Sequence, residues 1–527
     1  MHRKDGYALT GVDMVWRMNI AEDASLSKEM KEKVAADIEG IPDKFKDWSD
    51  TSKTAIAFQA RGPPMARDSV PHCKLLHLVD PSLYPLIYEK TSILDHATSS
   101  PIDFIKRPCQ GTKPGSSEAW RLAVVGLNRR LNKCNDFLRN GENHSCGSSL
   151  AIDRPFDERQ LFPDAHIGYC WLPSDIHVQD DGSVEIKSYI NNLHPIRHAS
   201  AYQTIAKAIS TCLPLVEQTL TDLIYRRMPR ITVKPEDCIR ETVQIPTYDY
   251  SELYKIYGDC WQNVVIAWKN ALEYTEPVPG RFAEPIRPDK PFSLRNSDLQ
   301  VFVKLTNVYL TPETPECVPE PCYAIGTNNE RIVAAAMYFY DVDNVKDIEI
   351  DFCEANDKHY YESDIQNYFD HLIYGVSYPG VISDYVNDAG KIQISGGSFI
   401  CYPNVYERRF GTCRLADTSR SGHVKILVLY FVDPSHRIVS TSVVPPQQPR
   451  WSLSQLVVAA SPIGRRLPEE LQIMIAKELD RSTPYQEADK IRDNLDYKHI
   501  EYNKEYSSWR PGFATKLNAS SRYGSCR

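Results

Sequence analysis

The sequence predicts an α+β protein in which an antiparallel barrel or double-sheet jelly roll is surrounded by helices. Short runs rich in β-branched and aromatic residues follow one another from about residue 297 and are separated by turns, which is typical of antiparallel β architectures. Segments with helical spacing of apolar residues precede and follow these runs. The chain has 527 residues, of which 42% are hydrophobic, so it is long enough to enclose a large core.

Residues 1–296 are expected to form a helix-rich N-terminal part that packs on the barrel. Residues 22–40 have the composition of a polar helix, and helical spacing recurs in 118–138 and in 199–226. A hairpin is predicted at the Asp-Gly step 181–182, because two β-rich runs flank this turn signal.

The barrel itself is predicted within residues 297–445. Its strands are predicted from the β-rich runs LQVFVKLTNVYL, ERIVAAAMYFYDV, KDIEIDF, KIQISGGSFICYPNVY, VKILVLYFVD and RIVSTSVV. Residues 446–527 form a C-terminal helical region by the same reasoning, with helical patterns in LPEELQIMIAKEL and PYQEADKIRDNLDYKHIEYNKEY. A jelly roll has an open mouth, so this fold class can hold a small ligand.

Composition and charge argue against several function classes. The formal net charge of −8 disfavours a nucleic-acid partner held by bulk electrostatic attraction. The longest apolar run, ILVLYFV, is far shorter than the ~20 residues of a membrane-spanning helix, so no membrane partner is expected. The first residues lack the apolar run of a signal peptide, and we expect a cytoplasmic protein with reduced cysteines. Cys317 and Cys322 lack the second half of a zinc site.

The polar string SYINNLHP, residues 188–195, packs several amide and hydroxyl groups together. We expect a capped turn before the helix at 199–226, and the alternative is a contact with the mouth of the barrel.

ISGGSF, residues 394–399, lacks the Lys-Ser/Thr step that binds phosphate and magnesium. It therefore does not predict a nucleotide site.

Seven strings in order along the chain carry a resemblance to a known family. They are LLHLVDPSLYPLIY, CWLPSDIHV, SYINNLHP, NERIVAAAMYFYDVDNV, YPNVYERRF, GHVKILVLYFVDP and RIVSTSVVPPQQ. Together they resemble the fungal family of domain of unknown function 4246, over about residues 45–455. The resemblance implies a double-stranded β-helix of the cupin type, as in non-haem Fe(II), 2-oxoglutarate-dependent oxygenases. It also implies a role in fungal secondary metabolism, in some members with amino-acid-derived products.

The chemistry of such oxygenases needs two histidines and one carboxylate on one side of Fe(II). In the family pattern, the first two ligands come from a Trp-His-Val-Glu-Gly step, which reads Cys-Tyr-Ala-Ile-Gly here. The histidine position is therefore Tyr323 and the carboxylate position is Ile325. The second histidine of the pattern Asn-Val-Tyr-Gln-His-Arg falls on Arg408. All three expected metal ligands are thus replaced, although the flanking strings remain.

These replacements predict a site that holds no metal. Ile325 has no donor atom, the permanent charge of Arg408 repels Fe(II), and one oxygen from Tyr323 does not make a facial site. We therefore expect no cofactor, although Fe(II) and 2-oxoglutarate would be the family expectation. The resemblance places a basic residue for the co-substrate carboxylate at Lys425, and Arg437 is a second candidate. Each could instead be an ordinary salt-bridge residue.

Several hypotheses about function follow. In the first, an iron-independent enzyme uses Tyr323 and Arg408 for acid–base chemistry or carboxylate binding in the former oxygenase pocket. Its small-molecule ligand, expected to carry a carboxylate, would contact Tyr323, Ile325, Arg408, Lys425 and Arg437. In the second, a non-catalytic pseudo-oxygenase binds a metabolite or a protein partner. In the third, an active Fe(II)/2-oxoglutarate oxygenase uses an unusual ligand set. The remaining alternative is a collapsed site that these side chains simply fill.

Overall fold

The computed structural model of the chain describes most of the predicted barrel and parts of the segments around it. The described residues are 7–10, 12–21, 24–39, 47–50, 74–94, 97–103, 167–224, 239–241, 250–274, 292–317, 324–355, 386–448, 451, 466–468, 470–471, 474 and 483–506. The predicted helix at 118–138 lies outside the described residues.

The chain divides into two compact units. The first is composed of Met1–Leu223, Lys290–Glu354 and Asp388–Ser507, and the second of Ile224–Asp289, Ala355–Asn387 and Ser508–Arg527. The division at residues 296 and 445 that the sequence suggested stays a prediction.

Strands dominate the part of the chain that the structure describes. They are β1 (Tyr7–Leu9), β2 (Trp16–Asn19), β3 (Asp47–Asp50), β4 (Lys74–Val79), β5 (Leu86–Ile87), β6 (Tyr169–Cys170), β7 (Ser174–Val178), β8 (Val184–Ile186), β9 (Ile239–Glu241), β10 (Leu272–Tyr274), β11 (Ser297–Leu310), β12 (Glu316–Cys317), β13 (Ile332–Asp343), β14 (Val345–Lys346), β15 (Ile348–Ala355), β16 (Val386–Ile394), β17 (Ser398–Pro403), β18 (Tyr406–Phe410), β19 (Cys413–Leu415) and β20 (Gly422–Val432).

The described helices are fewer. They are α1 (Ser25–Glu29), a π-helix (Met30–Glu39), α2 (Ala199–Ile224), α3 (Tyr250–Tyr257), a 3-10 helix (Gly258–Cys260), α4 (Trp261–Asn270) and α5 (Tyr485–Tyr506). None of the helices in the described ranges is long and apolar enough to cross a bilayer. The protein is therefore a mixed α+β protein that consists mostly of sheets.

The largest sheet has ten strands and belongs to the first unit. Its main path runs β1–β2–β17–β13–β20–β11–β4–β3, and β7 pairs with β11 and β8. One edge of the long strand β11 pairs with two strands in succession. Residues 297–301 of β11 pair with β7, and residues 305–309 pair with β4. The central strands β13 and β20 are buried at most positions. Their sequences are accordingly almost continuously apolar rather than alternating, as expected for strands that are covered on both faces.

Two three-stranded sheets belong to the same unit, with the orders β12–β19–β14 and β16–β15–β18. A two-stranded sheet joins β5 to β6. In the second unit, β9 pairs with β10 in an antiparallel ribbon, and α3 and α4 follow one another through the 3-10 helix.

Helix α2 packs against the β2–β17 side of the large sheet. The hydroxyl of Thr219 lies 3.3 Å from the sulfur of Cys401 on β17, and Asp222 accepts a 2.8 Å hydrogen bond from the indole of Trp16 on β2. The helix predicted at 199–226 is confirmed. So is the 181–182 hairpin, in which β7 pairs with β8 and Gly182 has a φ of +85° that favours glycine.

Within residues 1–296 the strands β1 to β4, β7 and β8 belong to the large sheet beside the described helices, and the helix-rich N-terminal part stays a prediction. One expectation about secondary structure was wrong. RIVSTSVV, residues 437–444, forms no strand. Its polar groups bond to loops instead: Thr441 N donates to Pro173 O at 3.0 Å, and Ser442 O accepts from Thr98 N at 2.8 Å. Its apolar residues are buried without a ladder, which periodicity alone cannot distinguish from a strand.

Candidate functional site

A row of side chains lines one face of the large sheet. Tyr402, Ala335, Tyr430 and Phe302 are directly paired across β17, β13, β20 and β11, so they lie on the same face. The indole of Trp171 covers this row, with ring centroids 5.6 Å from Phe302 and 5.8 Å from Tyr430. This face forms the largely apolar floor of the candidate site.

Arg408 faces this floor from a second sheet. It lies on β18 opposite Phe352 of β15, and the Phe352 ring packs edge-on against Tyr402 at 5.2 Å between centroids. Because paired residues share a face, Arg408 lies on the same side as Phe352. Its positive charge acts to lower the pKa of the Tyr402 hydroxyl, which burial nevertheless raises, and the residue is only 8% exposed. The position predicted for a metal ligand thus holds a buried cation.

A second cation, Lys304, lies within electrostatic reach of Arg408. It is two residues beyond Phe302 on β11, so it shares the face of the aromatic row. Burial and the charge of Arg408 act to lower the pKa of Lys304, but nearby negative charges, first that of Asp80, raise it overall. The ammonium is 4.0 Å from the Oδ1 of Asp80. Two neighbouring cations, one buried and one partly exposed, are unfavourable unless anions compensate them, and Asp80 supplies one anion.

Asp80 is oriented by the turn that follows β4. The amide of Ser82 donates a 3.0 Å hydrogen bond to its carboxylate, which is an Asx turn. Burial alone would raise the pKa of Asp80, but the charge of Lys304, together with His77 and the Ser82 hydrogen bond, lowers it overall. On β4 itself, burial and then the charge of Lys304 lower the pKa of His77 to about 4. At neutral pH the cluster therefore holds an ionised Asp80 beside a neutral His77.

Helix α5 adds a second carboxyl group to this cluster. Burial and the charge of Asp80 raise the pKa of Asp496 to about 6, although Lys304 opposes the shift. Asp496 and Asp80 therefore have pKa values that are shifted in opposite directions by a shared environment.

The loop that carries Ile325 is fixed by the buried Glu330. Its carboxylate accepts hydrogen bonds from the amide of Trp171 at 3.1 Å and from the amide and hydroxyl of Thr327 at 2.7 and 2.6 Å. The Nε2 of His499 on α5 is 3.7 Å away. Burial alone would raise the pKa of Glu330, but the nearby His499 and the hydrogen bonds from Thr327 lower it. Glu330 thus joins three separate segments as an ionised, buried group.

Ile325 itself is bracketed by the side chain of Asn404. The Ile325 amide donates to Asn404 Oδ1 at 3.2 Å, and Asn404 Nδ2 donates to the Ile325 carbonyl at 2.9 Å. The isoleucine side chain is buried and carries no donor atom. Tyr323 lies outside the described residues, so its position relative to Arg408 stays a prediction.

Lys425 occupies the other face of the large sheet. It is five residues from Tyr430 on β20, and an odd separation puts the two side chains on opposite faces. Its ammonium is 3.3 Å from Asp341, which also pairs with Lys31 at 3.5 Å and with His423 at 3.0 Å. The structure therefore does not bring Lys425 to Arg408, and the salt-bridge alternative describes its position.

Arg437 is held at the start of β11. Its guanidinium is 2.9 Å from Asp175 and 3.8 Å from Asp298. Gln300 donates to Asp175 and exchanges two hydrogen bonds with the backbone of the residue after Arg437. These contacts connect residues 437–438, which follow β20, to the strands β7 and β11. Arg437 therefore forms salt bridges that hold these segments together.

The sequence did not single out Lys304, Tyr402, Tyr430, Asp80 or Asp496. One signal was available for Lys304, because a lysine inside an apolar strand is buried only when it is paired. Asp80 and the tyrosines lie in strings that carried the resemblance, but no motif gave them a role. Asp496 is one of many charges on a polar helix, and only the tertiary contact distinguishes it.

The string SYINNLHP forms an amide cluster that supports Asp80. Asn192 donates to the carbonyls of Asp80 and Leu83, both at 2.7 Å, and accepts from Gln448 at 3.0 Å. Asn191 donates to Leu83 and accepts from Gln448 as well. These amides fix the loop after β4. His194 of the same string accepts hydrogen bonds from the amides of Ile196 and Arg197, both at 3.2 Å, which is the capped turn expected before α2.

Replacing Asn192 by alanine is expected to destabilise the protein by about 3 kcal/mol. The variant loses the two hydrogen bonds that Asn192 donates, worth ~1 kcal/mol each, whereas the Gln448 amide keeps its bond to Asn191. Alanine in the left-handed region adds ~1 kcal/mol, because the φ of Asn192 is +69°. Glycine at the same position loses the bonds without the backbone strain. Urea unfolding should therefore rank the proteins as wild type, glycine variant and alanine variant. An alanine variant as stable as the glycine variant would contradict this account.

Within the described ranges, no three His, Cys, Asp or Glu side chains are grouped closely enough to bind a metal ion. The donor set at the positions expected for iron ligands does not fit Fe(II) either. Ile325 offers hydrocarbon, and Arg408 brings a permanent positive charge that Lys304 reinforces.

Comparisons with known proteins give few matches. No curated protein matches the sequence. Among solved structures, IDO from Bacillus thuringiensis is 11% identical over 26% of this chain and 46% of that chain, with a TM-score of 0.17. The Fe(II)/(alpha)ketoglutarate-dependent dioxygenase TqaL is 10% identical over 44% of this chain and 82% of that chain, with a TM-score of 0.18. A bsmA homolog from Methylobium petroleophilum PM1 is 11% identical over 35% of this chain and 55% of that chain, with a TM-score of 0.16.

These likenesses are too low to support an argument about this chain, which spans less than half of the first of the three structures. The family comparison is different in kind. A family model described as a protein of unknown function, DUF4246, matches residues 2–455. The match includes all the strings that carried the resemblance and begins earlier than the expected residue 45. The chain belongs to the DUF4246 family.

Proposed function

We propose that the chain binds a small carboxylate-bearing molecule in a barrel interior and acts on it by acid–base chemistry without iron. The observation that carries this proposal is the pair of neighbouring cations, Arg408 and Lys304, on the floor of Tyr402 and Tyr430. A carboxylate would complement the positive charge of both groups, and an arginine can bind it through two parallel hydrogen bonds. Lys304 keeps 25% of its side chain exposed, which leaves it accessible to a ligand.

We further propose that the two faces around this site form a jelly roll of the double-stranded β-helix type. The support is the strand order β11–β20–β13–β17 in the large sheet, together with β12–β19–β14 and β16–β15–β18. In this order, strands that are distant in the sequence are neighbours in each sheet, and the chain alternates between sheets, as in a jelly roll. A role in fungal secondary metabolism and a cytoplasmic location are part of the same proposal and rest on the resemblance and composition.

The purified protein is expected to hold well below one iron per chain after anaerobic loading with Fe(II) and removal of free metal. The reason is electrostatic, since Arg408 and Lys304 raise the energy of a divalent cation at this site. Elemental analysis measures the metal content. A stoichiometric, tightly held iron would favour the alternative of an active 2-oxoglutarate oxygenase with an unusual ligand set.

A non-catalytic pseudo-oxygenase is the second candidate function. The buried position of Arg408 and its electrostatic interaction with Tyr402 favour it, because an arginine that interacts with the protein's own side chains needs no ligand. This protein would bind a metabolite or another protein through a site that has lost its chemistry.

A thermal-shift screen with amino acids, 2-oxo acids and dicarboxylic acids tests the main proposal. At least one carboxylate should raise the melting temperature, because a ligand that binds only the folded state stabilises it. The matching amides and alcohols, which lack the negative charge, should have no effect. A screen in which no carboxylate stabilises the protein would reject the proposal in favour of the pseudo-oxygenase.

A further inference from the structure

We propose that the indole N–H of Trp171 donates a hydrogen bond to the bound ligand, which is therefore a carboxylate that carries an uncharged acceptor oxygen several bonds from its carboxylate group. This role rests on the proposed function and specifies the substrate class of the same site. It is supported by the burial of the donor, by its place on the floor next to Lys304, and by the contacts that hold it there.

The indole nitrogen of Trp171 is a buried hydrogen-bond donor. The residue is 5% exposed, and within the part of the chain that the structure describes no atom accepts a hydrogen bond from its Nε1. Trp16 shows the usual arrangement, since its buried indole donates to Asp222 at 2.8 Å. A buried donor without a partner is costly and rare in native proteins. We therefore assign its acceptor to the ligand.

The position of this indole along β11 sets the distance between the two polar groups of the ligand. The Trp171 ring packs edge-on against Phe302, with centroids 5.6 Å apart and an interplanar angle of 74°. Phe302 and Lys304 are two residues apart on β11, so their side chains lie on the same face of the sheet. At about 3.4 Å per residue, their Cα atoms are roughly 7 Å apart. A carboxylate bound at Lys304 therefore places the acceptor for Trp171 several bonds away.

Trp171 is held in this position by its backbone and by its ring. Its amide donates to Oε1 of Glu330 at 3.1 Å, and the ring of His499 packs against its indole with centroids 5.4 Å apart. The Nε2 of His499 lies 3.7 Å from the same Glu330 oxygen. A donor that is already fixed in one orientation loses little conformational entropy when a ligand binds, which favours recognition.

Helix α5 provides part of this support from outside the family match. His499 lies on α5, beyond residue 455 where the match ends. The helix docks close to Trp171, because Lys498 donates to the Ile167 carbonyl at 2.6 Å and its ammonium lies 5.2 Å from the centre of the Tyr169 ring. His499 is therefore a positioning residue, and Trp171 is the residue that contacts the ligand.

The surroundings of the indole favour an uncharged acceptor. Trp171 contacts the rings of Phe302 and Tyr430, and a second negative charge in this aromatic environment would be desolvated without a counter-ion. A carbonyl oxygen accepts a hydrogen bond without carrying a charge. An oxo acid whose carbonyl lies far from the carboxylate combines the two groups, and its hydrocarbon chain can pack on the floor between them.

Calorimetric titration with hexanoate, 5-oxohexanoate and 2-oxohexanoate tests the role of Trp171. The wild type should bind 5-oxohexanoate about fivefold more tightly than hexanoate, as expected for one added hydrogen bond. The isomer 2-oxohexanoate should lack this advantage, because its carbonyl lies next to the carboxylate. Trp171→Phe keeps a ring on the floor but has no donor, so it should bind 5-oxohexanoate and hexanoate equally. Trp451 packs against Tyr189 with ring centroids 5.5 Å apart, and Trp451→Phe should retain the fivefold difference as a control.

A Trp171→Phe variant that keeps the fivefold difference would overturn the proposed role, and so would a wild type that does not distinguish the probes. Nuclear magnetic resonance of wild-type protein with labelled tryptophan is a second readout that needs no variant. The indole N–H resonance of Trp171, assigned through its contacts with Phe302 and His499, should move downfield with 5-oxohexanoate and not with hexanoate. An unchanged resonance in the 5-oxohexanoate complex would contradict the role.

The failure of this role can be distinguished from the failure of the proposed function. If carboxylates stabilise the protein but 5-oxohexanoate gains nothing over hexanoate, the role of Trp171 alone is rejected. If no carboxylate binds at all, the proposed function fails and the role of Trp171 fails with it.

Discussion

Replacing Arg408 by alanine is expected to weaken carboxylate binding by roughly two to four powers of ten. Loss of one member of a buried arginine–carboxylate pair costs about 3–5 kcal/mol, and each ~1.4 kcal/mol corresponds to a tenfold change in affinity. The stability of the ligand-free variant should hold or rise, because Arg408 lies 8% exposed beside Lys304 and the repulsion between the two cations disappears. Calorimetry for binding and thermal unfolding for stability are measured on the same samples.

Arg409 provides a matched control on the same strand. It is the next residue, so its side chain lies on the other face of β18, where it pairs with Asp351 at 2.6 Å. Arg409→Ala should leave carboxylate binding unchanged. The pseudo-oxygenase or collapsed-site alternatives require the opposite pattern for Arg408→Ala, namely a lower melting temperature through loss of the Tyr402 contact and no change in binding.

Replacing Glu330 by alanine is expected to destabilise the first unit by about 4 kcal/mol. The change leaves the amides of Trp171 and Thr327 without their acceptor, and a buried donor without a partner costs about 1–3 kcal/mol. It also releases His499 of α5. Urea unfolding followed by tryptophan fluorescence measures the loss. Glu330→Gln keeps an acceptor of similar shape, so its loss should be clearly smaller, and equal losses would contradict the proposed role of the acceptor.

The pH dependence of stability provides a further test of Glu330. Its folded-state pKa is lowered relative to the unfolded state, so its ionisation stabilises the fold above an unfolded pKa of about 4.3. This contribution is lost as the pH falls from there through the folded-state value. The wild type should therefore lose more stability than Glu330→Gln over this acid range. Parallel curves for the two proteins would show that ionised Glu330 makes no contribution.

Much of the fold follows from local sequence patterns. The strands β11, β13, β15, β17 and β20 were predicted because β-branched and aromatic runs bounded by turn residues have few other stable conformations. The exception at 437–444 shows the limit of this reasoning. Its hydrogen bonds go to Pro173 and Thr98, which are far away in the sequence, and no local pattern encodes such partners.

The candidate site was predictable only where a motif marked it. Arg408 was found because it replaces a ligand in a recognised string, and the structure describes it as buried beside Tyr402. Lys425 came from the same reasoning but lies on the other face of the sheet, because the pattern does not specify which face a strand residue occupies. Asp496 reaches Lys304 through the docking of α5, which is a tertiary contact without a local signal.

A crystal structure of metal-free protein grown with a chelator and a stabilising carboxylate tests the central claim most directly. The account predicts a ligand carboxylate bound to the guanidinium of Arg408 and near the ammonium of Lys304, on the floor of Tyr402 and Tyr430. A carboxylate bound elsewhere, with Arg408 in contact only with the protein, would contradict it. So would a metal ion between the Ile325 loop and Arg408 in crystals grown with Fe(II) in place of the chelator.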